Sequence, residues 1–584
     1  MAEYWNLDRL YRGFDDPAFT KDLESLQEKI EAFNALTRNL SDADPLRDLR
    51  EGIRLQEEMA LLGSKLGAYP RFRNATDTND SEAGSWAGRI QSAMSNTAGA
   101  KTAFRLWACG LPNLMELVRG DELLQNYEYL FSGMLENSKH DLGVEASVVA
   151  AKMRMSGTSA WSKLHGYLTS TVPVHYRGQV TNMSAIRNLA RDPDPQVRKD
   201  AYEAELNCYE AIKDPCAHAL NAIKLETISA CQLGNYESPL AMTLERADMK
   251  RETLDAMLGA MDEYLPKFWQ YLKAKAKLLG HEGGLPWYDL FAPVGVSNTA
   301  YTIEETKEFL LKQFATFDEE LTDMARRAFE EEWIDFWPRD GKRGGACCSS
   351  VQALGESRIL TNFDGSFAAV TTLAHELGHA FHNLCLRSHR PLNHSYSMPL
   401  AETASTFNEC VVINAAIAAA ESREEKLALV ESQLQKITQV ICDIYSRYRF
   451  EAKVFENREK QFMDAGVLCQ FMLEAQKQSY GDGLDHDFLH PYMWVNKGHY
   501  YGPVFYNFPY AFGALFSRGL YACYEREGAD FVPKYKKLLY TTTVATAEDT
   551  AKVADINLTD KAFWRAALQT VSEEIDLFCQ LAEE

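Results

Sequence analysis

Long segments with helical periodicity are the feature that most constrains the fold of this chain. Residues 22–39, 251–279 and 423–459 are rich in Ala, Leu, Glu, Lys and Gln, with apolar residues spaced three and four apart. This spacing places the apolar side chains on one face of an α-helix, and it recurs along most of the sequence. The sequence therefore predicts a mainly α protein.

The length and the helix-breaking segments indicate how the chain divides. A single core usually stops growing at ~250–300 residues, so a chain of 584 residues is expected to form at least two lobes. The segment DPDP at 192–195 is a strong breaker. We therefore predict a boundary there, with one lobe at 1–195 and the other at 196–584.

Charge and cysteine content exclude several classes of protein. A net charge of -22 argues against nucleic-acid binding, which needs clustered Lys and Arg, and against binding to anionic membranes. The most apolar stretch, 411–420, is shorter than the ~20 residues of a membrane span, and no secretory signal is readable. Twelve scattered cysteines without a C-x-x-C pair suit reduced thiols. These features predict a soluble, cytoplasmic protein.

A metal-binding motif lies in a helix-favouring segment, 367–386, that Ser366 is expected to cap. His375, Glu376 and His379 form H-E-x-x-H, and a separation of four puts the histidines about 40° apart around a helix. Both imidazoles can then reach one Zn²⁺ ion, which leaves a coordination position for water in a catalytic site. Glu376 is predicted to act as the base that takes the proton of that water.

A catalytic zinc site needs a third protein ligand, and the sequence offers five candidates. They are His382, His389, His394, Glu402 and Glu409. His382 is read as a packed residue, because three ligands on one straight helix fan apart along its axis. Glu402 and Glu409 share one stripe of a second helical segment after Pro399, and a buried carboxylate needs a partner. Spacing alone does not separate these two glutamates.

The motifs together resemble a known family, the oligoendopeptidase F group and its relative thimet oligopeptidase. The resemblance is carried by five segments that frame nearly the whole chain: WNLDRLYRGFDDPAF (5–19), GKRGGACCSS (341–350), TLAHELGHAFH (372–382), AETASTFNE (401–409) and HYYGPVFYNFPYAFG (499–513). H-E-x-x-H alone is generic, but its combination with AETASTFNE and FYNFPYAFG is specific to this family.

The resemblance implies roles for particular residues. It makes His375, His379 and Glu402 the ligands of one zinc ion, and it makes Glu409 a residue that orients a histidine ligand. It also implies that His499, Tyr506 and Tyr510, from a late segment, donate hydrogen bonds to the substrate carbonyl and its developing oxyanion. Which tyrosine is the principal donor is left open.

The resemblance also implies an architecture. Two helical lobes would enclose a deep, narrow substrate channel, with a small β-sheet near the metal site. Residues 1–195 would form part of the channel wall, and 196–584 would be the metallopeptidase domain. The segment 357–363 has the β-branched and aromatic content of a strand, and it is a candidate to pair with an extended peptide.

The predicted function is a zinc-dependent endopeptidase that hydrolyses short unstructured peptides. One alternative keeps the site but makes the protein a dipeptidyl carboxypeptidase, which requires a cationic anchor for the substrate's terminal carboxylate. The other is a non-catalytic helical peptide-binding protein, which predicts a closed four-ligand metal site and no need for Glu376.

Overall fold

The computed structural model describes residues 3–295 and 300–584. Helices account for 71% of the chain, so the predicted mainly α class is confirmed. The chain packs into two compact units, each built from three segments. The first unit comprises residues 1–139, 299–412 and 524–555, and the second comprises 140–298, 413–523 and 556–584. The predicted lobe boundary at 195 and the substrate channel stay predictions; Pro195 begins a helix inside the second unit.

The helices and strands follow one another along the chain as follows. From 17 to 138 the chain forms α1 Pro17–Thr37, α2 Pro45–Thr76, α3 Ser81–Ser95, α4 Ala98–Gly110, α5 Leu114–Arg119 and α6 Glu128–Ser138. From 144 to 278 it forms α7 Val144–Ser156, α8 Thr158–Thr171, β1 Val174–Tyr176, β2 Gln179–Thr181, α9 Met183–Asn188, α10 Pro195–Leu233, α11 Pro239–Arg246 and α12 Arg251–Leu278.

The remaining elements include the motif-bearing helix. From 303 to 419 the chain forms α13 Ile303–Phe314, α14 Glu319–Glu330, β3 Ile334–Asp335, β4 Cys347–Val351, β5 Glu356–Leu360, α15 Phe367–Cys385 and α16 Thr403–Ala419. After it come α17 Arg423–Thr438, α18 Ile444–Arg458, α19 Ala465–Tyr480, α20 Met493–Asn496, α21 Phe508–Glu527, α22 Phe531–Thr541, α23 Ala547–Lys552 and α24 Lys561–Glu583.

Local chemistry explains where the helices start. Asp194, the last acidic residue of DPDP, accepts a hydrogen bond from the backbone N–H of Gln196, and Pro195 occupies the first helical position of α10. The segment that the sequence predicts as one helix from 423 to 459 is α17 and α18, joined by a short π-helix, Gln439–Asp443. The predicted helical segments thus match the observed ones closely.

A three-stranded sheet lies in the first unit, in the order β3-β5-β4. β5 pairs in parallel with β3 and antiparallel with β4, where Cys348 faces Ile359. β4 and β5 both pack against α15, so a small sheet next to the motif helix is confirmed. β5 contains most of the predicted strand at 357–363 and is the central strand. Its whole length pairs with β4, an outer strand of the sheet, and its last two residues also pair with β3.

Each unit has its own apolar core. In the first unit, α1 and α2 contribute fully buried residues such as Phe33, Leu49 and Ile53. In the second unit, α10 and α19 pack around Trp494 and Tyr500. All twelve cysteines are free thiols. Among the helices of the described chain, none has a stretch long and apolar enough to span a membrane.

Candidate metal centre

The motif helix α15 is fixed by its cap and its apolar face. The Ser366 hydroxyl accepts a hydrogen bond from the backbone N–H of Ala369, as the sequence predicts. Leu373, Leu377 and Phe381 are fully buried and hold one face of the helix against the first unit. His375 and His379 are left partly exposed, and their ring centroids lie 4.8 Å apart.

The third candidate ligand is positioned by a close contact between the helices α15 and α16. At Gly378, inside the motif, an added Cβ would lie 2.4 Å from the carbonyl oxygen of Ala404 and 2.6 Å from the Cα of Ser405. Such contacts are far shorter than packing tolerates, so glycine allows α16 to touch α15 there. Glu402 directly precedes α16, and this contact brings its carboxylate to the two histidines.

Three ligand atoms converge at this point. Oε2 of Glu402 lies 3.2 Å from Nε2 of His375 and 3.5 Å from Nε2 of His379. Within residues 3–295 and 300–584, these side chains form the one group of three or more His, Cys, Asp or Glu whose ligand atoms approach within 4.8 Å. Zn–N and Zn–O bonds of ~2.0–2.1 Å around a tetrahedral ion would separate ligand atoms by ~3.3 Å. The two distances from Glu402 to the imidazoles are compatible with ligands of a single metal ion.

The electrostatics of the group also favour a cation. Burial alone would lower the pKa of His375, but hydrogen bonds and charge from Glu402 and Glu409 outweigh it and raise this pKa to about 10. Burial, together with the neighbouring charge of His375, lowers the pKa of His379 to about 4. The carboxylates of Glu402 and Glu409 place negative charge beside the imidazoles, and a divalent cation would balance this charge.

Further contacts orient two of the three ligands. Nδ1 of His375 donates to Oε1 of Glu409 at 2.6 Å, so Nε2 is the ring nitrogen that faces Glu402 and that a metal could bind in place of its proton. The Ser405 hydroxyl donates to Oε2 of Glu402 at 2.8 Å. The structure therefore distinguishes the two glutamates, which spacing alone could not do. Oε2 of Glu402 faces Nε2 of both imidazoles, whereas Oε1 of Glu409 accepts a hydrogen bond from Nδ1 of His375.

The predicted base, Glu376, lies next to this group and is 5% exposed. Burial raises the pKa of its carboxyl to about 7, and the carboxylates of Glu402 and Glu409 add to this shift. Its Oε2 is buried and has no hydrogen-bond partner in the part of the chain that the structure describes. A carboxylate oxygen without a partner is costly to bury and is available to accept a proton.

The other candidate ligands lie elsewhere in the first unit. His382 is fully buried, its Nε2 lies 2.9 Å from the Thr542 hydroxyl, and its ring stacks on Tyr396 at 4.4 Å. Nε2 of His389 donates to the carbonyl of Tyr540, and Nε2 of His394 donates to the carbonyl of His389. None of the three histidines belongs to the metal-binding group.

Comparison with known proteins identifies the family of this chain. Residues 188–569 match Peptidase family M3, and this stretch is more than half of the chain. It contains all three candidate ligands and the neighbouring glutamates. The chain belongs to peptidase family M3. The expected resemblance to oligoendopeptidase F and the expectation that the chain is a peptide hydrolase are both confirmed at this level.

Individual relatives of this M3 peptidase are distant in sequence but span most of its length. Oligopeptidase PepF of Bacillus subtilis is 23% identical over 98% of this chain and 86% of its own length. Group B oligopeptidase PepB of Streptococcus agalactiae is 23% identical over 87% of this chain and 85% of its own. Oligoendopeptidase-F from Enterococcus faecium superposes with a TM-score of 0.71 at 16% identity, covering 97% of this chain and 99% of its own. These similarities extend beyond the motifs to the whole fold.

The predicted hydrogen-bond donors of the M3 peptidase lie together in its second unit. The rings of His499, Tyr506 and Tyr510 have mutual centroid distances of 5.6, 6.0 and 5.7 Å. We call these three residues the donor cluster. Burial lowers the pKa of His499, and the nearby charges of Arg447 and Lys497 lower it further. A neutral imidazole can donate one hydrogen bond without a charge of its own.

A buried ion pair that the sequence did not reveal holds the loop of the donor cluster. Nζ of Lys224 lies 2.6 Å from Oε1 of Glu451, and both side chains are 1% exposed. The same carboxylate accepts from the backbone N–H of Phe505 at 3.3 Å and from the Asn507 side chain at 3.1 Å. Phe505 has a φ of 48°, a strained conformation for a bulky residue. These bonds fix the residues on both sides of Tyr506.

Proposed function

We propose that this M3 peptidase is a zinc-dependent endopeptidase that hydrolyses short, unstructured peptides. One observation carries the proposal: two imidazoles and one carboxylate converge within metal-ligand distance, beside a buried glutamate oxygen that has no hydrogen-bond partner among the described residues. We also propose a cytoplasmic location, for which the twelve free thiols are the support.

The proposed ligands of one zinc ion are His375, His379 and Glu402. When bound, the ion would lower the pKa of a coordinated water to ~7 and polarise the substrate carbonyl. Glu409 keeps the Nδ1 proton on His375, so that Nε2 of this ring stays deprotonated towards the ion. Three protein ligands leave room for water, whereas the peptide-binding alternative predicts a fourth protein ligand.

Glu376 is the proposed general base. Its position in α15 follows directly after a ligand, and its carboxyl pKa of about 7 suits proton exchange near neutral pH. It would take a proton from the attacking water and pass it to the nitrogen of the leaving amine. No covalent bond between enzyme and peptide is needed in this scheme.

The donor cluster is proposed to stabilise the reacting carbonyl. A tetrahedral intermediate places negative charge on the former carbonyl oxygen, and a preplaced donor lowers its energy by ~2.7–4 kcal/mol. Tyr506 and Tyr510 carry phenol O–H groups, and His499 carries an imidazole N–H. The family resemblance assigns this role to the three residues.

The substrate backbone is proposed to pair with β4. The segment predicted from the sequence to pair with an extended peptide forms β5, which lies between β3 and β4 in the sheet. β4 is the outer strand of the sheet, so its free edge suits the addition of an extended peptide. Such pairing recognises the backbone and tolerates varied side chains.

Glu376→Gln tests the proposal. We expect kcat on an internally quenched peptide with both ends blocked to fall ~10²–10⁴-fold, because the base is lost. Bound zinc, measured by elemental analysis, should stay at one equivalent. Glu308→Gln, which changes an exposed glutamate of α13, is the matched control and should behave as the wild type.

Two outcomes would contradict the proposal. Undiminished hydrolysis by Glu376→Gln with zinc bound would remove Glu376 as the base. A wild-type enzyme that leaves the blocked peptide intact, while releasing dipeptides from a peptide with a free carboxyl end, would establish the dipeptidyl carboxypeptidase alternative instead.

A further inference from the structure

A cavity of about 370 Å³ lies within the second unit, formed by α9, α10 and residues 287–291 and 490–497. Its volume falls in the range of small-molecule sites, ~300–1,000 Å³. Aromatic side chains form much of its wall, namely Tyr202, Trp287, Tyr288 and Phe291. All of its lining residues belong to the second unit, whereas the candidate metal ligands belong to the first.

The charged residues that line the cavity are mostly cations. They are Arg187, Arg191, Arg198 and Lys497, against the single carboxylate of Glu205. This balance contrasts with the whole chain, whose net charge is -22. A local excess of positive charge in an acidic protein indicates a specific use rather than a general surface property.

Two of these cations are neutralised by close partners. Nε of Arg198 donates to Oδ1 of Asp289 at 2.7 Å, and both side chains are buried. Arg187 lies 3.6 Å from a carboxylate oxygen of Glu205 and donates to the Asn496 side chain at 2.9 Å. These pairs are part of the fold, and neither leaves a net charge for a ligand.

The other two cations are not matched by an acid of their own. The guanidinium of Arg191 lies over the ring of Phe291 at 5.1 Å and makes no ion pair within the described residues. Lys497 is 17% exposed, and its Nζ lies 3.8 Å from a carboxylate oxygen of Asp443. That carboxylate is already in close contact with Arg447, so one acid serves two cations.

Neighbouring groups of the protein offset only part of the cost of burying the positive charge of Lys497. Burial lowers the pKa of its ammonium to about 8, because the carboxylate of Asp443 offsets only part of the desolvation. An anion in the cavity would supply the missing negative charge. It would also accept charge-assisted hydrogen bonds, which are stronger than bonds between neutral groups.

We propose that this cavity binds a small organic anion, a carboxylate or a phosphate ester that carries an aromatic group. Arg191 and Lys497 contact the anionic group, and Trp287, Tyr288 and Phe291 contact the ring. None of the residues that line the cavity is a candidate metal ligand, and the proposal does not depend on the proposed peptidase mechanism.

Isothermal titration of the full chain at pH 7 tests the proposal with three probes. They are 3-phenylpropionate, its neutral analogue 3-phenylpropionamide, and phenyl phosphate. We expect one equivalent of each anion to bind, and the amide to bind at least tenfold more weakly. The stronger of the two anions identifies whether carboxylates or phosphates are preferred. No heat of binding from either anion would overturn the proposal, and so would equal affinity for the acid and its amide.

Variants locate the binding. Arg191→Gln changes an exposed residue and should weaken anion binding about tenfold, the loss of a hydrogen bond to a charged group. Arg89→Gln is the matched control, since Arg89 is also exposed and stacks on Trp86 at 3.9 Å, but lies in the first unit. Equal weakening in both variants would reveal a nonspecific charge effect and overturn the site.

The metal centre provides the last control. His379→Ala removes a proposed zinc ligand, and anion binding should survive it unchanged. Loss of binding in this variant would place the anion on the metal and overturn the proposal. This outcome is distinguishable from a failure of the peptidase proposal, which is measured by hydrolysis and zinc content.

Discussion

The candidate metal centre and the donor cluster are positioned by different kinds of contact. In the metal centre, the ligands lie within 27 positions of each other, and two adjacent helices bring them together at Gly378. In the donor cluster, the loop around Tyr506 depends on Glu451, whose partner Lys224 is 227 positions away in sequence. The first site is therefore built from local spacing, and the second from a long-range buried charge pair.

This difference predicts two kinds of functional loss. A change in the metal centre should reduce bound metal and activity together. A change in the donor cluster or in the pair that supports it should leave the metal in place and reduce kcat or stability. Measuring zinc content, kcat and unfolding on the same variants tests whether the two regions separate in this way.

The largest effect is expected for His379→Ala. This variant loses one of three proposed protein ligands, so zinc content should fall to near zero and hydrolysis to background. His389→Ala is the matched control, because this histidine bonds a backbone carbonyl and lies outside the ligand group. Retention of full activity after complete removal of zinc by a chelator would refute a metal mechanism altogether.

A smaller loss of activity, with the metal still bound, is expected for Tyr506→Phe. Removing a donor to the developing oxyanion should lower kcat by ~10²–10³-fold, with little change in KM. Tyr510→Phe, measured in parallel, identifies the principal donor, which the sequence left open. If both variants keep wild-type kcat, the donor role of the cluster is wrong and its rings serve packing.

Some of the residues behind these predictions can be identified from the sequence alone, and others cannot. The motif helix, its Ser366 cap and the stripe bearing Glu402 and Glu409 were readable, because helical spacing is a local property. The choice between the two glutamates was not, since it depends on how closely α16 approaches α15. The family resemblance made that choice, and the observed contacts agree with it in placing Glu402 near both imidazoles.

The supporting contacts of the second unit were beyond sequence reasoning. Nothing about Lys224 or Glu451 distinguishes them from surface residues of long amphipathic helices, where Lys and Glu are common. Only tertiary packing buries both and directs the carboxylate to the backbone at Phe505. The central position of β5 was hidden for the same reason, because strand order depends on contacts distant in sequence.

Glu451→Gln is expected to act mainly on stability. It leaves the buried ammonium of Lys224 without its counter-charge, which costs about 3–5 kcal/mol when one partner of a buried pair is removed. The double variant Lys224→Met with Glu451→Gln should recover much of this loss, because no buried charge is left unpaired. Chemical denaturation of the three proteins measures the difference, and zinc content should stay constant.

The double variant also tests whether the pair positions Tyr506. The Gln side chain still accepts a hydrogen bond but is neutral, so the loop should be held less firmly and kcat should fall about tenfold. In a Tyr506→Phe background the same pair of changes should have little further effect on kcat, since groups that act as a unit are not additive. Full additivity would mean that the pair serves stability alone.

The smallest effect is expected from the pH dependence of His165, in the second unit. Its Nε2 donates to the carbonyl of Val495 at 2.7 Å, and its ring stacks on Tyr501 at 3.6 Å, two residues after His499. Burial lowers the pKa of this imidazole below its ordinary value of 6.5. The unfolded chain therefore binds the proton more readily, so the stability contributed by neutral His165 is present above pH 6.5 and declines as the pH falls below it.

His165→Gln removes this titration while retaining a side chain that can donate to the Val495 carbonyl. Between pH 7 and pH 5, the melting temperature of the wild type should fall by roughly 1–2 °C more than that of the variant. His389→Gln is not suitable as a control, because burial also lowers the pKa of His389, so His486→Gln, at an exposed site, serves instead. An identical pH response of wild type and His165→Gln would show that burial of this ring contributes no acid sensitivity to the second unit.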